Sequence, residues 1–183
     1  LEPRPVYDNI DQPSSKLKAC MELIKTMQEN KQKVLLFSSF TSALDLIAEE
    51  CQKAGITYYM LTGSTNKEER RELVSRFQKD DTTLFLISLK AGGTGLNLTS
   101  AENVIHYDPW WNVSAQNQAT DRAYRIGQKS NVQVFNLVMK DSVEEKIIEM
   151  QKRKKELADM FVENNSGGLS QMSKEDILSL FTM

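Results

Sequence analysis

Two patterns of hydrophobic positions alternate along the chain. Runs of consecutive apolar residues predict strands, at 33–39, 56–61, 83–88, 103–107 and 132–139. Between and after them, apolar residues that recur every three or four positions predict helices, from residue 15 onward and at 41–53, 114–124, 143–163 and 174–181. Strands separated by helices favour right-handed crossovers. The pattern therefore predicts an α/β fold, with an open, mostly parallel sheet that carries helices on both faces.

The ends of several elements are marked by particular residue types. Ser14 or Ser15 is the expected N-cap of the first helix, and Gly55 is expected directly after the second. Thr65, followed three residues later by Glu68, predicts a capping box that opens a further helix running through Phe77. The prolines within residues 1–13 predict an extended lead-in linker, and the helices from residue 143 onward form a C-terminal appendix.

Composition excludes several classes of protein. Of the 183 residues, 40% are hydrophobic and 26% are charged, which is typical of a globular domain. The apolar runs are far shorter than the roughly 20 residues needed to cross a bilayer, so no membrane partner is expected. Cys20 and Cys51 lie in helical patterns without metal-ligand spacing, so they are expected to be buried thiols, and no metal site is predicted. The single histidine, His106, leaves little scope for histidine-based acid–base chemistry.

Charge and the first residue add two expectations. The formal net charge is −2, so any binding to nucleic acid must be local. The chain opens at Leu1 without an initiator methionine, which favours a fragment of a longer protein.

The segment at 88–98, SLKAGGTGLNL, is rich in glycine and follows a predicted strand. Ligands of doubly wound sheets sit at the carboxyl ends of strands, and glycines allow backbone N–H groups to approach a phosphate closely. The alternative is a tight turn that needs glycine for its geometry alone. The segment is not a Walker A loop, because no Gly-Lys-Ser/Thr ends it, and its third glycine position for a dinucleotide fingerprint is Leu98.

Two further segments carry candidate chemistry. Arg122 and Arg125 are three residues apart, so on a helix they share a face and are able to grip one phosphoryl group; the alternative is a solvated charged face. Trp110 and Trp111 lie in the segment DPWWN at 108–112, which directly follows a predicted strand. One of them is expected in the core and the other exposed for stacking, unless both are core residues.

These segments resemble a known family. Five stretches match, in order and spacing, the motifs conventionally called IV, IVa, V, Va and VI in the second motor lobe of Swi/Snf-type DNA-dependent ATPases: KVLLFSSFT at 33–41, LTGST at 61–65, SLKAGGTGLNL at 88–98, DPWWN at 108–112 and QATDRAYRIGQ at 118–128. The resemblance covers about residues 14–182. It implies a RecA-like helicase C-terminal lobe at 14–142, followed by a brace helix and a terminal helix within 143–183. The stretch at 176–181 is similar to the tail of bacterial members, which favours a bacterial source.

The resemblance implies roles on the ATP side of the motor. Arg122 and Arg125 are expected to be arginine fingers that reach the γ-phosphate, and Gln118 to help read the nucleotide state. Gly93 and Gly95 are expected either to lie near the nucleotide or to couple it to DNA. The cofactor implied is ATP, with Mg²⁺ held by an N-terminal RecA-like lobe of the same polypeptide. This chain lacks Walker A and Walker B residues, so alone it is expected to be inactive.

On the DNA side, the resemblance implies contacts with the backbone of double-stranded DNA from seven residues: Ser39, Thr41, Gly63, Lys90, Gly92, Trp110 and Trp111. A DNA-bound protein is the implied cargo, and the expected location is the cytoplasm, at the nucleoid in a bacterium, or the nucleus in a eukaryote. The basic stretch at 152–155 is interpreted either as a contact with DNA or an acidic partner, or as a solvated face. The alternative function is a non-catalytic nucleic-acid or protein interaction module that retains the RecA-like fold.

Overall fold

The structure is a computed structural model that describes residues 14–92, 98–110 and 132–164. Its described strands form one five-stranded sheet in the order β2-β3-β1-β4-β5. The strands are β1 (Val34–Ser38), β2 (Tyr58–Leu61), β3 (Leu84–Ser88), β4 (Asn103–His106) and β5 (Gln133–Asn136). Every neighbouring pair is parallel. The predicted open parallel sheet is therefore confirmed.

The described helices are α1 (Ser15–Glu29), α2 (Thr41–Ala54), α3 (Lys67–Lys79), the single turn α4 (Leu89–Gly92) and α5 (Val143–Asn164). Ser14 caps α1 as predicted, because its hydroxyl accepts a hydrogen bond from the Leu17 N–H. Gly55 ends α2 in the left-handed conformation, with φ of 69°, which is also as predicted. The helices predicted at 114–124 and 174–181 lie outside the described residues.

The predicted start of α3 is wrong by one residue. Asn66 is the N-cap, and its side-chain oxygen accepts hydrogen bonds from the N–H groups of Glu68 and Glu69. Thr65 lies before the helix, where its hydroxyl accepts a hydrogen bond of 3.0 Å from the Thr62 N–H. Asparagine caps a helix at least as well as threonine does, so Asn66 serves as the N-cap in place of Thr65.

The strand predicted at 56–61 also begins later than expected. Ile56 is buried, but its N–H donates to the Cys51 carbonyl oxygen at 2.9 Å and so completes the C-terminal cap of α2. Its apolar side chain accompanies a helix end, which is a usual place for a hydrophobic residue after a left-handed glycine. The strand starts at Tyr58.

Helices cover both faces of the sheet, as predicted. One face packs Leu36 and Leu86 against the apolar residues of α1 and α2, among which Cys20 and Cys51 are buried thiols. Burial raises the pKa of Cys20 to about 12 and that of Cys51 to about 11. The other face packs Phe37 and Phe85 against Phe77 of α3. Since all five residues of β1 are buried, its side chains serve the two cores alternately.

Candidate functional site at the carboxyl edge of the sheet

The loops that follow β1, β3 and β4 leave the sheet side by side. Ser38 lies opposite Ser88 in the register of β1 with β3, and Phe37 lies opposite His106 in the register of β1 with β4. The chain turns to one side of β1 to form β2 and β3, and then crosses to the other side to form β4. Open parallel sheets bind ligands at the carboxyl edge, at the point where the strand order reverses in this way.

A carboxylate joins the loops after β1 and β4. Asp108 is 6% exposed, and its Oδ1 accepts a hydrogen bond of 2.5 Å from the Ser38 hydroxyl. Its Oδ2 accepts one of 2.9 Å from the Ser39 N–H and another from the Ser39 hydroxyl. The Ser38 oxygen in turn accepts the Phe40 N–H at 3.1 Å. Because hydrogen bonds to an ionised acceptor are the stronger kind, Asp108 fixes the two loops to each other.

In the loop after β1, Ser39 bonds to Asp108, whereas Thr41 is exposed at the start of α2. Both donors of Ser39 point to Asp108, so its hydroxyl shapes the loop. Thr41 is exposed at the first position of α2, and Phe40 gives that helix no side-chain cap. The first N–H groups of a helix lack intrahelical partners and carry the positive end of its dipole. The start of α2 therefore has the chemistry of a phosphate contact.

Gly63 lies in the loop after β2 and is exposed. The turn around it is held by the Thr65 N–H, which donates to the Thr62 carbonyl oxygen at 3.2 Å. A side chain added at Gly63 would meet no atom within 4 Å, and its backbone is not left-handed. The loop therefore leaves room for a large partner next to its backbone.

The loop after β3 begins with α4, a single helical turn that precedes the glycine-rich segment. Lys90 is exposed on this turn, and Gly92 is its last residue. Arg70 of α3 donates to the Ala91 carbonyl oxygen at 3.1 Å, which ties the turn to α3. Lys90 thus presents its charge to solvent at the same edge as Thr41.

The residues after β4 divide between core and edge. His106 is buried and stacks on Phe37 at 5.7 Å between ring centroids, and burial lowers its pKa to about 4. Burial favours the neutral imidazole, because the charged form loses its hydration inside the core. Trp110 is half-buried and packs on the cluster beside α3. Trp111 lies outside the described residues, so the expectation that one tryptophan is in the core and the other exposed stays a prediction.

Helix α5 crosses this edge of the sheet. At its start, Glu144 accepts hydrogen bonds of 2.6 and 2.7 Å from the Lys16 ammonium, whose nitrogen also lies 5.0 Å from the Tyr107 ring centroid. Two turns later, the Gln151 amide donates to the Trp110 carbonyl oxygen. Tyr107 packs with the α1 side of the sheet and Trp110 with the α3 side. The helix is thus anchored on both sides of the β4 loop.

The remaining predicted site residues are Gln118, Arg122, Arg125, Gly93, Gly95 and Trp111, and all of them lie outside the described residues. Their roles stay predictions. Conversely, sequence reasoning quoted Asp108 only as part of a motif and missed its bonds to the serines. An acidic residue two positions after one strand, with two serines ending another, is the signal that was available.

Comparison with known proteins identifies the family. Residues 15–127 match the family described as the helicase conserved C-terminal domain. The chain belongs to this family. The chain is 39% identical over 171 residues to a putative ATP-dependent helicase/translocase of Bacillus subtilis, and 37% identical over 189 residues to the ISWI chromatin-remodeling complex ATPase ISW1 of Saccharomyces cerevisiae. These alignments cover 93% and 98% of the chain, so the resemblance to Swi/Snf-type ATPases is confirmed.

A solved structure supports the fold. The crystal structure of the C-terminal part of the Fun30 ATPase domain superposes on this chain with a TM-score of 0.72 and 40% sequence identity, covering 75% of this chain and 45% of that one. The RecA-like fold is therefore confirmed. The chain spans 18% and 17% of the bacterial and the yeast relative, respectively. Because relatives come from bacteria and eukaryotes alike, the bacterial source remains a prediction. Within the described residues, no helix is both long and apolar enough to span a membrane.

Proposed function

We propose that this chain supplies the second motor lobe of a double-stranded-DNA-stimulated ATPase and translocase that remodels protein–DNA complexes. The observation that carries this proposal is the junction at Asp108, which brings the loops of two family motifs together at the ligand-binding edge. The relatives are named as ATP-dependent helicases and chromatin-remodeling ATPases, which supports ATP as the cofactor.

On the ATP side, the proposal assigns Arg122 and Arg125 as arginine fingers and Gln118 as a reader of the nucleotide state. Gly93 and Gly95 approach the nucleotide. Phosphoryl transfer develops charge on the equatorial oxygens, and a guanidinium placed against them raises the rate by roughly 10³–10⁵. Mg²⁺ is assigned to the N-terminal lobe of the same polypeptide, which closes on this lobe to complete the site.

On the DNA side, the open start of α2 at Thr41, the exposed Lys90 and the accessible backbone at Gly63 are proposed to contact phosphates. Ser39, Gly92, Trp110 and Trp111 border the same track. Backbone N–H groups, hydroxyls and a lysine grip phosphates without reading bases. Such sequence-independent contacts are what a protein that moves along DNA requires.

The proposed organisation places the lobe at 14–142 and the brace and terminal helices at 143–183. The contacts of Glu144 and Gln151 with the lobe support a bracing role for α5. A DNA-bound protein is the proposed cargo. The proposed location is the nucleoid if the source is bacterial and the nucleus if it is eukaryotic.

The decisive experiment joins the chain to the N-terminal lobe of the full polypeptide and measures ATP hydrolysis with and without duplex DNA. We expect stimulation by DNA, and a loss of about 10³-fold or more in turnover for Arg122→Ala and for Arg125→Ala while DNA binding persists. Arg71→Ala, which removes an exposed arginine of α3, is the matched control and should leave turnover unchanged. The chain alone should hydrolyse no ATP.

Turnover that is absent, or indifferent to both arginines, would contradict the motor assignment. Persistent DNA binding without turnover would favour the non-catalytic interaction module. Steady hydrolysis by the isolated chain, abolished by Arg122→Ala, would show that no second lobe is needed.

A further inference from the structure

Helix α5 carries a concentration of positive charge that the motor assignment does not use. Residues 150–156 hold Lys152, Arg153, Lys154 and Lys155 against the single acid Glu156, a local charge of +3 in a chain whose net charge is −2. All five of these side chains are exposed.

The helix register separates these cations into two groups. Arg153 comes four residues after Glu149 and forms an ion pair with it at 3.0 Å, on the face that looks away from the lobe. Lys154 and Lys155 come three and four residues after Gln151, so they lie one turn further along the face that touches the Trp110 loop. Lys152 comes four residues after the half-buried Ile148, on the flank of that same face.

The lobe-facing side of α5 is fixed by its contacts. Ile147 is buried, Glu144 binds Lys16, and the Gln151 amide binds the Trp110 carbonyl oxygen. One further turn advances the helix by about 5 Å. Lys154 and Lys155 therefore emerge next to the β4 loop, at the carboxyl edge of the sheet.

The electrostatic state of these lysines favours an external anion. In the described part of the chain, Lys152, Lys154 and Lys155 form no ion pair, whereas Arg153, on the other face of the helix, pairs with Glu149. Lys152 and Lys155 are three residues apart, so they are neighbours on the helix surface and repel each other unless an anion lies beside them. A regular array of phosphates supplies such anions at short spacing.

We infer that Lys152, Lys154 and Lys155 of α5 form a phosphate-binding surface that extends the DNA track beyond Trp110, with the backbone of double-stranded DNA as the ligand. This inference rests on the proposed function, because it takes the carboxyl edge as the side that faces DNA. Helix α5 then has two roles, since it braces the loop through Gln151 and grips the duplex one turn later.

The test measures binding of the chain to a fluorescent 20-base-pair duplex by anisotropy over a range of salt concentrations. The variant changes Lys152→Gln, Lys154→Gln and Lys155→Gln together, since glutamine keeps the helix propensity of lysine. Each phosphate contact contributes about 0.9 to the slope of log K against log salt, so the slope should fall by about 2 to 3.

A charge-matched control changes Lys25→Gln, Lys31→Gln and Lys79→Gln. These lysines are exposed at or near the amino edge of the sheet, at the ends of α1 and α3. The control loses the same net charge, but its lysines lie away from the proposed track and contact no phosphate, so its slope should fall by less than about 1. Equal effects of the two triple variants would overturn the inference, because the lysines would then act only through net charge.

Two other outcomes separate this inference from the proposed function. If Lys90→Gln weakens duplex binding and the α5 variant does not, the inference is wrong and the track at the sheet edge stands. If the unaltered chain binds no duplex, both are wrong. Loss of binding to a poly-glutamate chain, with duplex binding retained, would instead identify the surface as a site for acidic protein. Circular dichroism should show the same helix content in all variants.

Discussion

Replacing Asp108 with asparagine removes a negative charge from the point where the loops after β1 and β4 meet. Asparagine has the same shape, but only one of its two terminal atoms accepts hydrogen bonds. That oxygen is able to keep the Ser39 N–H, which lies 2.9 Å from Oδ2 in the native side chain. The Ser38 hydroxyl then has to turn to the Phe40 carbonyl oxygen, 3.2 Å away.

The structure sets the size of the effect. Hydrogen bonds to charged groups contribute about 1.5–3 kcal/mol each. Asp108→Asn loses one of the three and weakens the others, so we expect the free energy of unfolding to fall by about 2 kcal/mol. Asp108→Ala loses all three and leaves polar groups unpaired, so it should cost about 4 kcal/mol or more.

Urea unfolding followed by circular dichroism measures both values, and amide exchange at Ser39 reports the loop directly. The Ser39 N–H should exchange faster in Asp108→Ala than in the native protein. Asp45→Asn, which neutralises an exposed carboxylate on α2, is the matched control and should change stability by less than about 0.5 kcal/mol. If Asp108→Asn and Asp108→Ala both stayed within that limit, the carboxylate would not be what joins the loops.

Two further predictions concern the core and the turns. Burial lowers the pKa of His106 to about 4 from 6.5, so the folded state binds fewer protons than the unfolded state between these values. The histidine therefore stabilises the fold fully above pH 6.5, and up to about 3 kcal/mol is lost as the pH falls to 4. Proton NMR of this single histidine should show no titration above about pH 5, and a midpoint near 6.5 would refute its burial. Gly55→Ala places a side chain at a φ of 69° and should cost about 1 kcal/mol in urea unfolding. Gly63→Ala should cost less than about 0.5 kcal/mol, and an equal loss at both positions would show that backbone conformation is not the cause.

The sequence predicts the sheet well because its strands are short apolar runs buried on both faces. The runs beginning at 33 and 83 correspond to β1 and β3, in which every residue is buried. Element ends are less predictable, because neighbouring polar or apolar residues compete for the same local bonds. Asn66 replaces Thr65 as a cap, and the Ile56 N–H closes α2 before β2 begins. Alternative caps such as Thr65 and Asn66 differ little in free energy, and the periodicity of apolar residues does not distinguish between them.

The contacts at the candidate site depend on which strands become neighbours. Ser39 and Asp108 are 69 residues apart, and they meet because β4 pairs with β1. Lys16 and Glu144 are 128 residues apart, and their ion pair depends on the path of α5 across the edge. The pattern of apolar residues does not determine which strands become neighbours. The resemblance to the family therefore predicted where the site lies, and the hydrogen bonds within it followed only from the fold.

These bonds form a continuous mechanical connection. Asp108 ties the β1 loop to the β4 loop, and the β4 loop is tied to α5 by Gln151 through Trp110. The Lys16–Glu144 pair then ties the start of α5 to α1. A displacement of the Trp110 loop therefore strains both Ser39 at the start of the proposed DNA track and the helix that carries the lysines beyond it. The lobe is proposed to convert ATP hydrolysis into movement along DNA. In such a lobe, this connection makes the start of the track at Ser39 and its extension on α5 move together, whereas a flexible β4 loop would let them move independently.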